Sequence, residues 1–193
     1  MANRDRPNGF KPVIMLDGST VPVRNYNVDA DEASTLMVGD LVSAESDGNV
    51  NLAAANDGVI VVGAVTAIFD TNGVPAGHPN SAISTKYKPV STAAIVSVAL
   101  ALRNAMFRCQ SDTGTDVEDD DVFATANHIA GTGDTTTAVS RGELDSSDIG
   151  TGIQLRILDK VDEPGNDWGD AHVDLLVTFN ESLFTGATGN ATI

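Results

Sequence analysis

The eleven residues Val59-Ile60-Val61-Val62-Gly63-Ala64-Val65-Thr66-Ala67-Ile68-Phe69 carry no charge and are mostly β-branched or small. Such a run is too short to span a bilayer as a helix, and its valines and isoleucines lose side-chain freedom in helices but pack well on a pleated sheet. It reads as a core strand, kinked or bulged at Gly63. The flanking sequence repeats the theme. Gly39-Asp40-Leu41-Val42, Asp47-Gly48-Asn49-Val50 and Asn56-Asp57-Gly58 alternate short β-branched stretches with Asp-Gly pairs, where glycine accepts the positive φ of a tight hairpin turn.

The same reading extends along the chain. Asp70 to Lys88 is loop, because Pro75, Gly77 and Pro79 follow closely on Gly73. In the second apolar run, Val90 to Leu102, Val96, Val98, Leu100 and Leu102 alternate with Ser97, Ala99 and Ala101, which favours a strand. Ala105 to Gln110 opens the second half. Asp119, Asp120 or Asp121 is placed to cap a short helix over Val122 to His128. Gly131 to Thr137 reads as a turn, and late strands are expected at Gln154 to Lys160 and His172 to Phe179. Several short strands at this spacing predict a mainly β chain: a compact β-barrel or β-sandwich body with a short helix and an extended N-terminal arm.

Charge divides the chain unevenly. Of 193 residues, 27 are acidic and 11 basic, giving a formal net charge of -16. That balance argues against a nucleic-acid partner, which needs clustered Lys and Arg, and against an anionic membrane surface. Residues 1–24 nevertheless hold Arg4, Arg6, Lys11 and Arg24 against Asp5 and Asp17, a net +2 that leaves the remainder at -18. Pro7, Pro12 and Pro22 punctuate this leader and forbid a continuous helix. It reads as an arm, 1–24, that orders on a partner through Arg4, Arg6, Phe10, Lys11 and Arg24, so deleting residues 2–16 is expected to leave the body folded. The body is 25–185, with 25–102 and 103–185 as its two subdomains if it divides, and 186–193 is a flexible tail.

Catalytic signatures are missing. No G-x-S-x-G elbow, Walker A loop or G-x-G-x-x-G turn in strand-to-helix context occurs. His78, His128 and His172 are widely spaced, with no Cys or His at ligand spacing, and each is expected to be a surface or half-buried residue with an ordinary hydrogen bond. The acidic run Asp116 to Asp121 lacks the spaced ligands of a calcium loop and reads as a solvated loop and cap. Neither metal, cofactor nor enzymatic activity is expected. The one cysteine, Cys109, cannot form an intrachain bridge. Trp168, in the turn Asn166 to Asp170, either locks that loop onto the core or serves as an interface anchor. The opening residues show no apolar signal region, so a soluble chain made in a cytoplasm is expected.

Several short motifs carry a resemblance. Met1-Ala2-Asn3-Arg4 with Pro7-Asn8-Gly9-Phe10-Lys11-Pro12-Val13 resembles the start of structural proteins of tailed bacteriophages, cyanophages included. Gly39-Asp40-Leu41-Val42 and Val62-Gly63-Ala64-Val65 are similar to the β-rich pattern of capsid decoration proteins. Phe107-Arg108-Cys109-Gln110-Ser111-Asp112, Gly131 to Thr137, Leu155 to Leu158 and Pro164 to Gly169 resemble the body of the same proteins. The resemblance implies a cement protein, typically a homotrimer, on the outer capsid surface of the virion. It would clamp adjacent major capsid proteins against internal DNA pressure, after synthesis in the bacterial host cytoplasm. The alternative is a receptor- or glycan-binding β module of a head fibre or tail.

Overall fold

The apolar run forms the strand around which half of the body is ordered. The computed structural model describes residues 3–55 and 59–185. Met1, Ala2, the expected turn Asn56-Asp57-Gly58 and the tail 186–193 lie outside the described residues. The strands are β1 (Lys11–Met15), β2 (Val23–Val28), β3 (Leu41–Ala44), β4 (Val50–Leu52), β5 (Val61–Phe69) and β6 (Ala94–Leu100). They continue with β7 (Ala105–Gln110), β8 (Thr125–Ala126), β9 (His128–Ile129), β10 (Glu143–Leu144), β11 (Leu155–Lys160) and β12 (Asp174–Phe179). One antiparallel sheet runs β2-β6-β5-β3-β4, a second runs β1-β7-β12-β11-β8, and β9 pairs with β10. The body is mainly β and sandwich-like. Among the described residues no helix is long and apolar enough to cross a membrane.

The alternation in the second apolar run sorts residues between two cores. Ala64, Ala99 and Ala101 face Phe107, Leu155, Leu175, Val177 and Phe179 of the other sheet. Small side chains on one face let the bulky residues of the other fill the layer between them, as close-packed interiors require. Val62, Val65, Ile68, Val96 and Val98 point the opposite way, into a second core covered by Leu36 and by Ile83 of the 70–88 loop. The edge strands β2 and β4 approach each other, curling that sheet around the second core. Asp70 knots the loop: it is buried, and its carboxylate accepts the amides of Asn72, Val74 and Ala82 at 2.8 to 2.9 Å.

Gly63 is needed for space. A methyl group there would sit 2.0 Å from the Ala99 carbonyl oxygen. The register slips beside it instead, between Val65 and Ala67 against β6 and between Val42 and Ser43 against β3.

Two expectations are corrected. The helix expected over Val122 to His128 is absent; a 3-10 turn occupies Asp119–Asp121, with Glu118 and Asp121 forming a reciprocal capping box. The following residues form β8 and β9, because pairing of Ala126 with Leu155 buries apolar surface that one isolated helical turn could not. The leader is also part of the fold. β1 forms the edge of the second sheet against β7, and the first two residues of β2 complete the segment 1–24. Deleting residues 2–16 would therefore remove an edge strand together with the buried Phe10.

Gly63→Ala is expected to lower unfolding stability by about 3 kcal/mol, the upper range of overpacking costs, because the obstacle is backbone that cannot swing aside. Urea denaturation should show this as a lower midpoint.

Candidate functional site

The leader upstream of β1 is held by side chains that imitate a neighbouring strand. Gln110, at the end of β7, is buried; its Oε1 accepts the Arg6 amide at 2.8 Å, and its Nε2 donates to the Arg4 carbonyl at 3.1 Å. Asn166 accepts a hydrogen bond from the side chain of Asn3. Its own Nδ2 donates to the carbonyls of Val161 and Asp174 at 2.7 and 2.9 Å, so one buried amide ties the leader to the β11–β12 turn. At the inner end the Phe10 amide donates to the Gly39 carbonyl at 2.8 Å. Gly9, with φ of 65°, passes so near that a Cβ would lie 2.4 Å from that oxygen.

This path lays three cations along one cleft. Asn3, Arg4, Arg6, Asn8, Gly9 and Lys11 form one wall; Arg108, Gln110, Pro164, Gly165 and Asp174 form the other, around about 520 Å³. Arg108 is neutralised by Glu163 in a two-point contact at 2.6 and 2.9 Å and by Asp174 at 3.0 Å. The guanidinium holds the Glu163 carboxyl below its ordinary range. Arg4, Arg6 and Lys11 are exposed and, among the described residues, form no ion pair. A partner carboxylate would find donors there without displacing an existing acid.

The remaining expected contacts lie elsewhere. Phe10 is 1% exposed and fills the chain's own inter-sheet core, its ring edge-on to His128 at 6.2 Å and tilted against Phe179 at 6.5 Å. Its assignment as an anchor in a partner's pocket is corrected: burying a phenylalanine ring is worth about 2–3 kcal/mol, and the fold takes that gain internally. Arg24 is exposed on β2, opposite Val98 in the other sheet, and does not line the cleft. Trp168 is half-buried against the inter-sheet core, as the loop-locking reading has it. Cys109 is free and buried, and burial raises its thiol pKa.

The histidines diverge. His78 is exposed, and its Nδ1 accepts the Asn80 amide at 3.2 Å. His128, expected at the surface or half-buried, is instead fully buried between Gln154 Oε1, 2.8 Å from its Nδ1, and the Ala53 carbonyl, 3.3 Å from its Nε2, and desolvation lowers its pKa. The Nδ1 of His172 is buried without a partner, which corrects the expectation of an ordinary hydrogen bond for each. Gln110 and Asn166 escaped sequence reasoning because an amide two or three residues from a turn carries no signal of what it will hold. In Asp116 to Asp121, Glu118 and Asp121 are engaged in the cap.

Asp40 lies beneath the Gly39 contact, accepts the Met37 amide at 2.7 Å, and is pushed up to about 6, mainly by desolvation. No protein family, curated protein or solved structure matches this chain.

Gln110→Ala is expected to cost about 1–2 kcal/mol for the lost hydrogen bonds and to speed tryptic cleavage after Arg4 at least tenfold, the bond after Arg6 being protected by Pro7; an unchanged cleavage rate would show that something else holds the leader. Because the folded-state pKa of Asp40 is raised, its favourable contribution is present below pH 4 and is lost as pH rises through about 6. Asp40→Asn should therefore stabilise the protein at pH 8 by on the order of 2 kcal/mol and leave it unchanged near pH 3.5, as read from denaturation midpoints at the two pH values.

Proposed function

We propose that this chain is a viral structural protein that decorates the outside of a tailed-phage capsid and cements adjacent major capsid proteins. The observation that carries the reading is the cleft: Arg4, Arg6 and Lys11, which form no ion pair among the described residues, stand along one groove of a chain with net charge -16. A protein that must stay off packaged DNA yet grip a protein shell is served by an acidic surface with one concentrated basic contact. The work of such a protein is adhesion, and none of the groups in the cleft is asked to perform catalysis.

The adjoining edge supplies a second contact. β1 borders its sheet and exposes Val13 at 51%, with Leu16 just after the strand exposed at 60%, while the register slips between Pro12 and Ile14. A proline and a bulge discourage indiscriminate edge pairing, yet the two apolar side chains remain available to a matching surface. Three copies about a symmetry axis would multiply a modest contact into lasting retention. The glycan-binding alternative draws less support, since Trp168, its expected aromatic platform, packs on the chain's own core.

The triple variant R4E/R6E/K11E keeps β1, Phe10 and the leader hydrogen bonds, so it isolates the charge. It is expected to lose binding to expanded shells of the cognate major capsid protein by at least a hundredfold, whereas R24E should bind within about threefold of the natural chain. Co-sedimentation at fixed salt checks this, and full occupancy by the triple variant would sink the assignment of the cleft.

A further inference from the structure

Asp5 lies between Arg4 and Arg6 yet does not line the cleft. It meets Glu143 of β10 and His172 of the turn before β12, and one ligand-type atom from each of the three lies within 4.8 Å of the others. Glu143 Oε1 and His172 Nδ1 are shielded from solvent and have no hydrogen-bond partner. The third orphaned buried side-chain atom among the described residues is Ser111 Oγ. Ser111 is 1% exposed and adjoins the same place: its amide donates to the carbonyl of Val173, next to His172, and it bridges Leu144, next to Glu143.

Buried polar atoms in folded proteins almost always find partners, and an orphan marks a group that something else satisfies. Here two of the three belong to residues that converge with Asp5 from distant parts of the chain, and the third belongs to a residue tied to the backbone beside both. The charge is equally one-sided. Asp5 and Asp112 add to burial in pushing Glu143 up to about 7, and only Arg141 opposes them.

We propose that Asp5, Glu143 and His172 form a binding site for one divalent transition-metal ion, zinc by preference. Zinc accepts an imidazole nitrogen and carboxylate oxygens in a four-coordinate set that a water can complete, whereas calcium seeks six to eight oxygens and has little use for histidine. The ion takes up the lone pairs of buried atoms and offsets the converging carboxylates. Because Asp5 belongs to the leader, metal binding clips residues 3–10 to the body and sets how Arg4 and Arg6 are presented in the cleft. The proposal stands independently of the capsid reading.

The test uses the full chain, stripped with a chelator and titrated calorimetrically with Zn2+, alongside Asp5→Asn, His172→Ala and, as a control for adventitious histidine binding, His78→Ala. One saturable ion per chain is expected, weakened at least tenfold by Asp5→Asn and by His172→Ala and unaffected by His78→Ala. Asp5 is exposed, so its variant should fold even if His172→Ala does not. In parallel, Zn2+ should slow hydrogen exchange at the Arg6 amide in the natural chain and not in Asp5→Asn. No saturable binding, binding indifferent to Asp5→Asn, or a site that prefers Ca2+ over Zn2+ would overturn the proposal.

Discussion

Phe10 seated between the two sheets is the contact on which the functional features depend. Its ring lies in the same core as Leu41 of one sheet and Phe179 of the other. Its amide is bonded to Gly39, which brings the leader against the body at a point where only glycine at position 9 fits. Downstream, that placement starts β1 on its path along β7. Upstream, it delivers Arg6 and Arg4 to Gln110 and Asn3 to Asn166. The basic cleft and the cluster around Asp5 are thus consequences of where one aromatic ring is buried.

An alternating extended segment can serve two surfaces at once. Arg4 and Arg6 line the cleft, while Asp5 between them reaches Glu143 and His172. This follows from the two-residue period of an extended backbone. The result couples a basic patch to a set of metal-type ligands through a few covalently linked residues. The surrounding acidity makes the patch stand out: of the four cations along the cleft, Arg108 alone is neutralised among the described residues, by Glu163 and Asp174.

The long apolar strands were the legible part. The apolar run around Gly63 became β5, the alternation in Val90 to Leu102 became β6 with its valines and alanines facing different cores, and the stretches Gln154 to Lys160 and His172 to Phe179 became β11 and β12, whereas no strand was expected at Ala105 to Gln110, which forms β7. The reason is local: side chains on opposite faces of a strand must match two environments, and the match is written in every second residue. The stretch 122–128 misled because a short apolar pattern does not distinguish one helical turn from two short strands. Pairing of β8 with β11 decided it.

What the sequence by itself determined is the β character, the turns, the acidic body and the concentration of basic residues near the beginning of the chain, since each depends on composition or on neighbours a few positions apart. Tertiary structure alone decided that Phe10 points inward, that Arg24 is parted from Arg4, Arg6 and Lys11, and that Asp5, Glu143 and His172 converge. Those outcomes depend on contacts between residues more than a hundred positions apart, such as Arg6 with Gln110 and Asn3 with Asn166. No local pattern encodes such a pairing; it exists only where β7 and the β11–β12 turn lie beside the leader.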